Sequence, residues 1–256
     1  MPEPNTPLVG ESSAPPERLE GNAAGWQERP VAAAWHTALI ILIVGTWSYL
    51  SVIRAGQMRA ATAPNRLALY LNTLIFEWVL VAVIYAGVRL RGRSMSEVLG
   101  TPWRKAIDFW RDVGIALIFW VVAGCILMLA GLALRIPRQI QNGIIYMLPR
   151  GATEIIVWVL LSVTAGICEE IIFRGYLQRQ FTAWTRSAVL GIVLAAAFFG
   201  AGHSYQGGRQ PILIGIFGLL FGILAQMRRS IKPGMLAHAL QDGVTGIIVS
   251  VAYKLH

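Results

Sequence analysis

From about residue 35 onward the chain alternates long apolar runs with short polar stretches. Seven runs stand out, at roughly 35–53, 67–88, 112–134, 152–180, 187–203, 211–227 and 232–253. A helix needs about 20 mostly apolar residues to cross the hydrocarbon of a bilayer. Inside lipid, backbone polar groups are satisfied only within helices or closed barrels. The pattern therefore predicts an all-α, multi-pass transmembrane helix bundle of about seven to eight spans. The fifth and sixth runs are short, at 17 residues each, and are expected to sit deep or to meet irregular backbone. An eighth element has room in 92–111 or 136–149. The stretch 96–111 mixes Trp and Phe with Arg and Lys. It reads either as an interfacial helix on the membrane surface or as a basic loop carrying belt aromatics.

The remaining organisation follows from what lies outside the runs. Residues 1–30 are rich in Pro, Glu, Gly and Ala. Such a composition cannot bury enough surface to fold alone, so a disordered cytoplasmic tail is expected. It lacks the basic start and apolar core of a signal peptide. Residues 31–111 are expected to form N-terminal membrane helices and the interfacial segment, and 112–253 a C-terminal core.

Composition agrees: 55% of residues are hydrophobic and 14% charged, against about 25% charged in soluble domains. The net charge of +9 does not point to nucleic acid, because Lys and Arg sit in short loops that meet lipid headgroups. Counted over alternate loops, one side of the membrane (side A) receives 14 Lys and Arg and the other (side B) 8. The positive-inside rule then puts side A and the N-terminus in the cytoplasm, in the plasma membrane of the cell. Cys125 and Cys168 both lie in apolar runs without a metal-binding spacing, and read as small buried apolar residues. Ala196 and Gly200, and Gly218 and Gly222, are small residues four apart, a spacing that lets helices approach closely.

Charged groups in a membrane segment are expensive and usually face a bundle interior or a cavity. Three stretches carry them in the C-terminal half: Cys168-Glu169-Glu170-Ile171-Ile172-Phe173-Arg174, Phe199-Gly200-Ala201-Gly202-His203 and His238-Ala239-Leu240-Gln241-Asp242. Glu170 and Arg174 are four apart with the acid first, the favourable order for an ion pair on one helix face. Glu169 points about 100° away and need not share that arginine fully. His238 and Asp242 share a face one turn apart. At 1.5 Å per residue the three stretches reach a common depth only if the fourth span runs on to Gln180, which takes Glu169 roughly 17 Å below side A. One shared site is then expected. Glu77 and Asn72 lie in the second span, where a helix–helix hydrogen bond is expected of Glu77. His36 and Glu154 lie near span ends, where interfacial placement suffices.

The order Glu-Glu-x-x-x-Arg, Phe-x-x-x-His, His-x-x-x-Asn/Asp resembles the signature of the CAAX-protease and bacteriocin-processing (CPBP, or Abi) family of intramembrane proteases, which includes the type II CAAX prenyl endopeptidases. The resemblance covers roughly 112–253. It implies an endopeptidase acting on a peptide or membrane-anchored protein near the bilayer, in peptide maturation, bacteriocin immunity or regulatory cleavage. It casts Glu169 as the base that activates water, His203 as a residue that orients that water, and His238 and Asp242 as the oxyanion-stabilising pair. Glu170, Arg174 and Phe199 are supporting residues. The family position matched by Asp242 is often Asn, so Asp242 is expected to orient a protonated His238. Glu169, His203 and His238 could also supply three ligands to zinc, but the chain has no His-Glu-x-x-His, and a metal-free glutamic mechanism is the expectation. A transporter or ion relay built on the same charges would call for internal repeats, and none is visible. A non-catalytic immunity-type scaffold is the other alternative.

Overall fold

A computed structural model describes residues 29–61, 64–136 and 145–254. All but the last two residues of the 1–30 tail, and most of the 136–149 window, fall outside these ranges. Among the described residues the regular elements are helices. They are α1 (Ala34–Ala60), α2 (Arg66–Leu90), α3 (Met95–Leu99), α4 (Ala106–Ala133), α5 (Ala152–Glu169), a π-helical segment (Glu170–Leu177), α6 (Gln178–Thr185), α7 (Ala188–Gly202), α8 (Gln210–Arg228) and α9 (Lys232–Lys254). Six helices are long and apolar enough to cross a membrane, with α5, the π segment and α6 forming one of them over Ala152–Thr185. The apolar α7 is shorter. The chain is thus an all-α, multi-pass membrane bundle. Its outward surface is apolar: Leu42, Ile75, Ile118, Leu132, Ile156 and Val189 are all exposed, as lipid-facing side chains should be.

The two ends of the bundle are held by different contacts. At side A, Gly100 and Ser230 form an isolated antiparallel bridge, the Lys232 ammonium donates to the Thr101 carbonyl at 2.7 Å, and buried Arg179 donates to the Glu97 carbonyl. At side B, Arg59 donates to the Tyr205 carbonyl, Tyr70 to that of Met147, and Arg209 to that of Leu134 at 2.5 Å. The segments that meet are those the alternating count of spans puts on the same side.

Close approach in the C-terminal half depends on small residues. A Cβ on Gly166 would lie 2.7 Å from both the Ala239 nitrogen and the Met235 carbonyl oxygen, so α5 and α9 touch backbone to backbone there. Gly218 of α8 meets Ala196 of α7, and a Cβ on Gly200 would lie 2.5 Å from the Pro211 carbonyl oxygen. The freed space lets the carbonyls of Gly218 and Gly222 accept from Arg174 and Gln178, at 3.2 and 3.1 Å.

Three readings change. Only Met95–Leu99 of the 96–111 stretch forms its own helix; Ala106 onward is the first turn of α4. Cys125 is exposed rather than buried, because α4 has only three buried residues, Asp112, Ala116 and Ala123. His36 is buried rather than interfacial. Its Nδ1 lies 2.7 Å from the Tyr176 hydroxyl and its Nε2 3.0 Å from the Val83 carbonyl oxygen. Beside it, the Gln180 amide accepts from the Val31 nitrogen at 2.6 Å and donates to the Ala32 carbonyl at 3.1 Å. These contacts clamp the start of α1 to the π segment and α6.

Candidate active site

The site is built at the junction of α5 and the π segment. In the π segment hydrogen bonds run from i to i+5, and the Gln178 N–H bonds the Phe173 carbonyl. Such insertions widen a helix and are frequent at functional sites. Glu169 is the last residue of α5 and Glu170 the first of the π segment, so neighbouring carboxylates face different surroundings. The Glu170 side chain is fully buried, whereas that of Glu169 is 19% exposed.

Glu170 is held on two sides. Its Oε1 accepts from Arg174 Nη1 at 2.8 Å and lies 3.1 Å from His238 Nδ1. Arg174 is itself buried. Its guanidinium stacks 4.4 Å from the Phe199 ring centre and 5.2 Å from that of Phe221, and desolvated contacts of this kind are among the stronger cation–π interactions. Two opposite charges, further hydrogen bonds and two aromatic faces together offset a desolvation cost that neither ion could meet alone.

His238 projects from α9 between Phe217 and Phe221, with ring centres 5.9 and 5.3 Å away. With Nδ1 turned to Glu170, Nε2 faces the gap between Glu169 Oε2 at 3.7 Å and Asp242 Oδ2 at 3.6 Å. Asp242 is therefore a neighbour of the free nitrogen and not the group that orients the ring. Glu170 makes the orienting contact, which the i,i+4 spacing of His238 and Asp242 could not reveal. The Asp242 backbone carbonyl accepts from Trp158 Nε1 at 3.2 Å.

His203 caps α7. Its Nδ1–H donates to the Phe199 carbonyl at 2.8 Å, which leaves Nε2 as the ring's acceptor. Phe199 thus serves two groups, since its ring lies against both Arg174 and His203. Neighbouring Tyr205 is half-buried outside the spans; desolvation pushes its phenol well above the usual tyrosine range, so it is a neutral O–H at working pH.

Glu169, His203, His238 and Asp242 all line one cavity of about 300 Å³. Phe199 lines it too, while Glu170 and Arg174 lie behind the wall. The cavity extends past Ser51, Arg54 and Met58 of α1 to Tyr146, Tyr205 and Gln206, and so occupies the side B half of the bundle. The expected common depth holds, though the helix count underestimates it. The fourth span ends at Thr185 rather than Gln180, and α9 starts recessed, with Ser230 and Ile231 buried and the Ile231 N–H bonded to the Leu99 carbonyl. Glu77 differs from its expectation. It is buried in α2, lines the same cavity, and its Oε2 has no hydrogen-bond partner among the described residues. A charge in the middle of an apolar run was the only signal for it.

The residues proposed as zinc ligands do not fit a metal as arranged. Among the described residues no three His, Cys, Asp or Glu side chains converge to hold one; with Nδ1 of His203 at the Phe199 carbonyl and Nδ1 of His238 at Glu170, their Nε2 atoms are the ones left to a ligand. Cys168 is fully buried beside Glu169 and plays no part in the cavity wall.

Comparison with known families supplies the remaining observation. The family described as type II CAAX prenyl endopeptidase Rce1-like matches residues 151–244. Over that segment the chain is similar to the CAAX-protease family. The Rce1-like segment starts at Gly151, the residue before α5, and ends just past Asp242 in α9. It therefore contains Glu169, Glu170, Arg174, Phe199, His203, His238 and Asp242, and leaves out Glu77. Its family is one of membrane proteases, which classes the chain with proteases in general. Comparisons with curated proteins and with solved structures gave no match.

Proposed function

We propose that the protein is a metal-free intramembrane endopeptidase that hydrolyses a peptide bond of a peptide or membrane-anchored substrate. The observation that carries this reading is the convergence of Glu169, His203, His238 and Asp242, from three separate helical stretches, on one cavity.

In this reading a water held between Glu169 and His203 Nε2 gives its proton to the Glu169 carboxylate, and its oxygen bonds to the substrate carbonyl carbon. The carbonyl π electrons move to the oxygen, and the Nε2–H of a protonated His238 stabilises that oxyanion. When the tetrahedral species collapses, the C–N bond breaks and the proton on Glu169 passes to the departing amine. Glu170 holds the His238 ring through Nδ1, and Arg174 pairs with Glu170 at 2.8 Å. Asp242 supports the charge on the imidazole from the cavity side, at 3.6 Å. A dry cavity strengthens each of these electrostatic contacts relative to water.

The proposed setting is the plasma membrane with side A in the cytoplasm, from the excess of Lys and Arg there. The cavity then opens on the non-cytoplasmic side. The test of the reading is to incubate membranes with wild-type protein or the Glu169→Gln variant and compare peptides by mass spectrometry. Cleavage products found only with wild type support it; identical products refute the base role.

A further inference from the structure

The mechanism above leaves one buried ionisable group in the cavity without a task. Glu77 lies on α2, is 4% exposed, and lines the cavity shared by Glu169, His203, His238 and Asp242. Among the described residues its Oε2 has no hydrogen-bond partner, and Glu77 takes part in none of their ion pairs. Glu170 differs: its Oε2 is also without a partner, but its Oε1 is answered by both Arg174 and His238. A buried carboxyl oxygen without a partner carries the desolvation cost of that group, and such a cost in an otherwise apolar span marks a functional group. Its immediate neighbours on the cavity wall, Thr73, Phe76 and Leu80, do not relieve it. The Thr73 hydroxyl is already donated to the Leu69 carbonyl at 3.0 Å, and the Phe76 ring is stacked on Trp47 with centres 3.8 Å apart.

The same cavity carries the reacting groups, and a peptide entering it must find hydrogen-bond partners for its own backbone. Lipid-facing surfaces offer none, and most of the wall around Glu77 is apolar. We propose that Glu77 is a substrate-positioning residue whose carboxyl oxygen accepts a hydrogen bond from a backbone N–H of the bound peptide. This rests on the protease reading but adds a residue outside the segment matched by the family. It assigns the α2 wall of the cavity to substrate binding and leaves chemistry to α5, the end of α7 and α9. The ligand class is an extended peptide segment with free N–H groups, and not a cationic side chain.

The experiment compares wild type with Glu77→Gln and Glu77→Met, each as the full chain reconstituted in phosphatidylethanolamine/phosphatidylglycerol liposomes. The probe is a randomised, internally quenched fluorogenic peptide library, read for apparent KM and kcat, with thermal unfolding measured in parallel. Glutamine keeps an acceptor oxygen in the same shape, so Glu77→Gln is expected to stay within a few-fold of wild type. Glu77→Met is expected to lose about tenfold in kcat/KM, the worth of one hydrogen bond, mainly through a higher KM, and to unfold no earlier than wild type. Loss of activity in both variants alike would overturn the proposal in favour of a charge requirement. Unchanged KM in Glu77→Met, or a less stable Glu77→Met, would also overturn it. A wild type that cleaves nothing in the library counts against the protease reading itself; cleavage by wild type with indifference to position 77 sinks this inference alone.

Discussion

The His238 ring is oriented by Glu170, whose Oε1 lies 3.1 Å from His238 Nδ1 and accepts from Arg174 at 2.8 Å. One oxygen therefore ties the ion pair of the π segment to the imidazole of α9. It also divides the two adjacent glutamates: Glu170 is committed to the frame, and Glu169 keeps a face open to the cavity.

Glu170→Gln should expose this linkage. It leaves the Arg174 guanidinium buried without its counter-ion, and breaking one partner of a buried pair costs about 3–5 kcal/mol. Thermal unfolding in detergent should shift down accordingly, and proteolytic activity should fall with it. A variant as stable as wild type would mean that Arg174 finds another counter-charge.

Gly166→Ala should separate α5 from α9. The new methyl would meet the Ala239 nitrogen and Met235 carbonyl at 2.7 Å, and these are backbone atoms that cannot rotate away. Since α5 carries Glu169 and α9 carries His238, activity should drop at least tenfold, the effect expected of about 1.4 kcal/mol in transition-state binding. Gly45→Ala is the control, because nothing lies within 4 Å of its Cβ position, and it should match wild type in activity and unfolding temperature.

Much of this arrangement was legible in the sequence. The seven apolar runs all became helical, six of them long and apolar enough to cross a membrane and the fifth a shorter helix, because lipid leaves the backbone no alternative. The polar residues inside them stood out for the same reason: Glu169, His203, His238 and Asp242 each carry a cost that one shared cavity explains. What stayed hidden depends on packing. A 3.6-residue period cannot announce the π segment over Glu170–Leu177. Nor can it show that α9 starts recessed beneath Gly100, that Tyr176 and the Val83 carbonyl engage a buried His36, or that Glu77 lines the cavity.

Sidedness can be tested with single cysteines in a chain whose Cys125 and Cys168 are replaced by Ala. Ser204 is exposed near the cavity mouth on side B, and Lys105 is exposed on side A. A membrane-impermeant maleimide applied to intact cells should label Ser204→Cys and spare Lys105→Cys. The reverse pattern would turn the protein over and open the cavity to the cytoplasm.

The metal-free reading has its own check. Activity of purified protein should survive prolonged treatment with EDTA and 1,10-phenanthroline. Loss that added zinc restores would overturn that reading, and would require His203 Nε2 and His238 Nε2 to converge on the ion with Glu169, a grouping absent among the described residues.

The base role of Glu169 is tested most directly by the rate of cleavage by Glu169→Gln relative to wild type, with both proteins folded to the same unfolding temperature. Gln keeps the shape of the side chain and removes its capacity to take a proton from water. General-base catalysis contributes typically 10²–10⁴-fold, so the variant should be slower by at least about a hundredfold while still binding substrate. A variant that cleaves at the wild-type rate would contradict the assignment of Glu169 as the base.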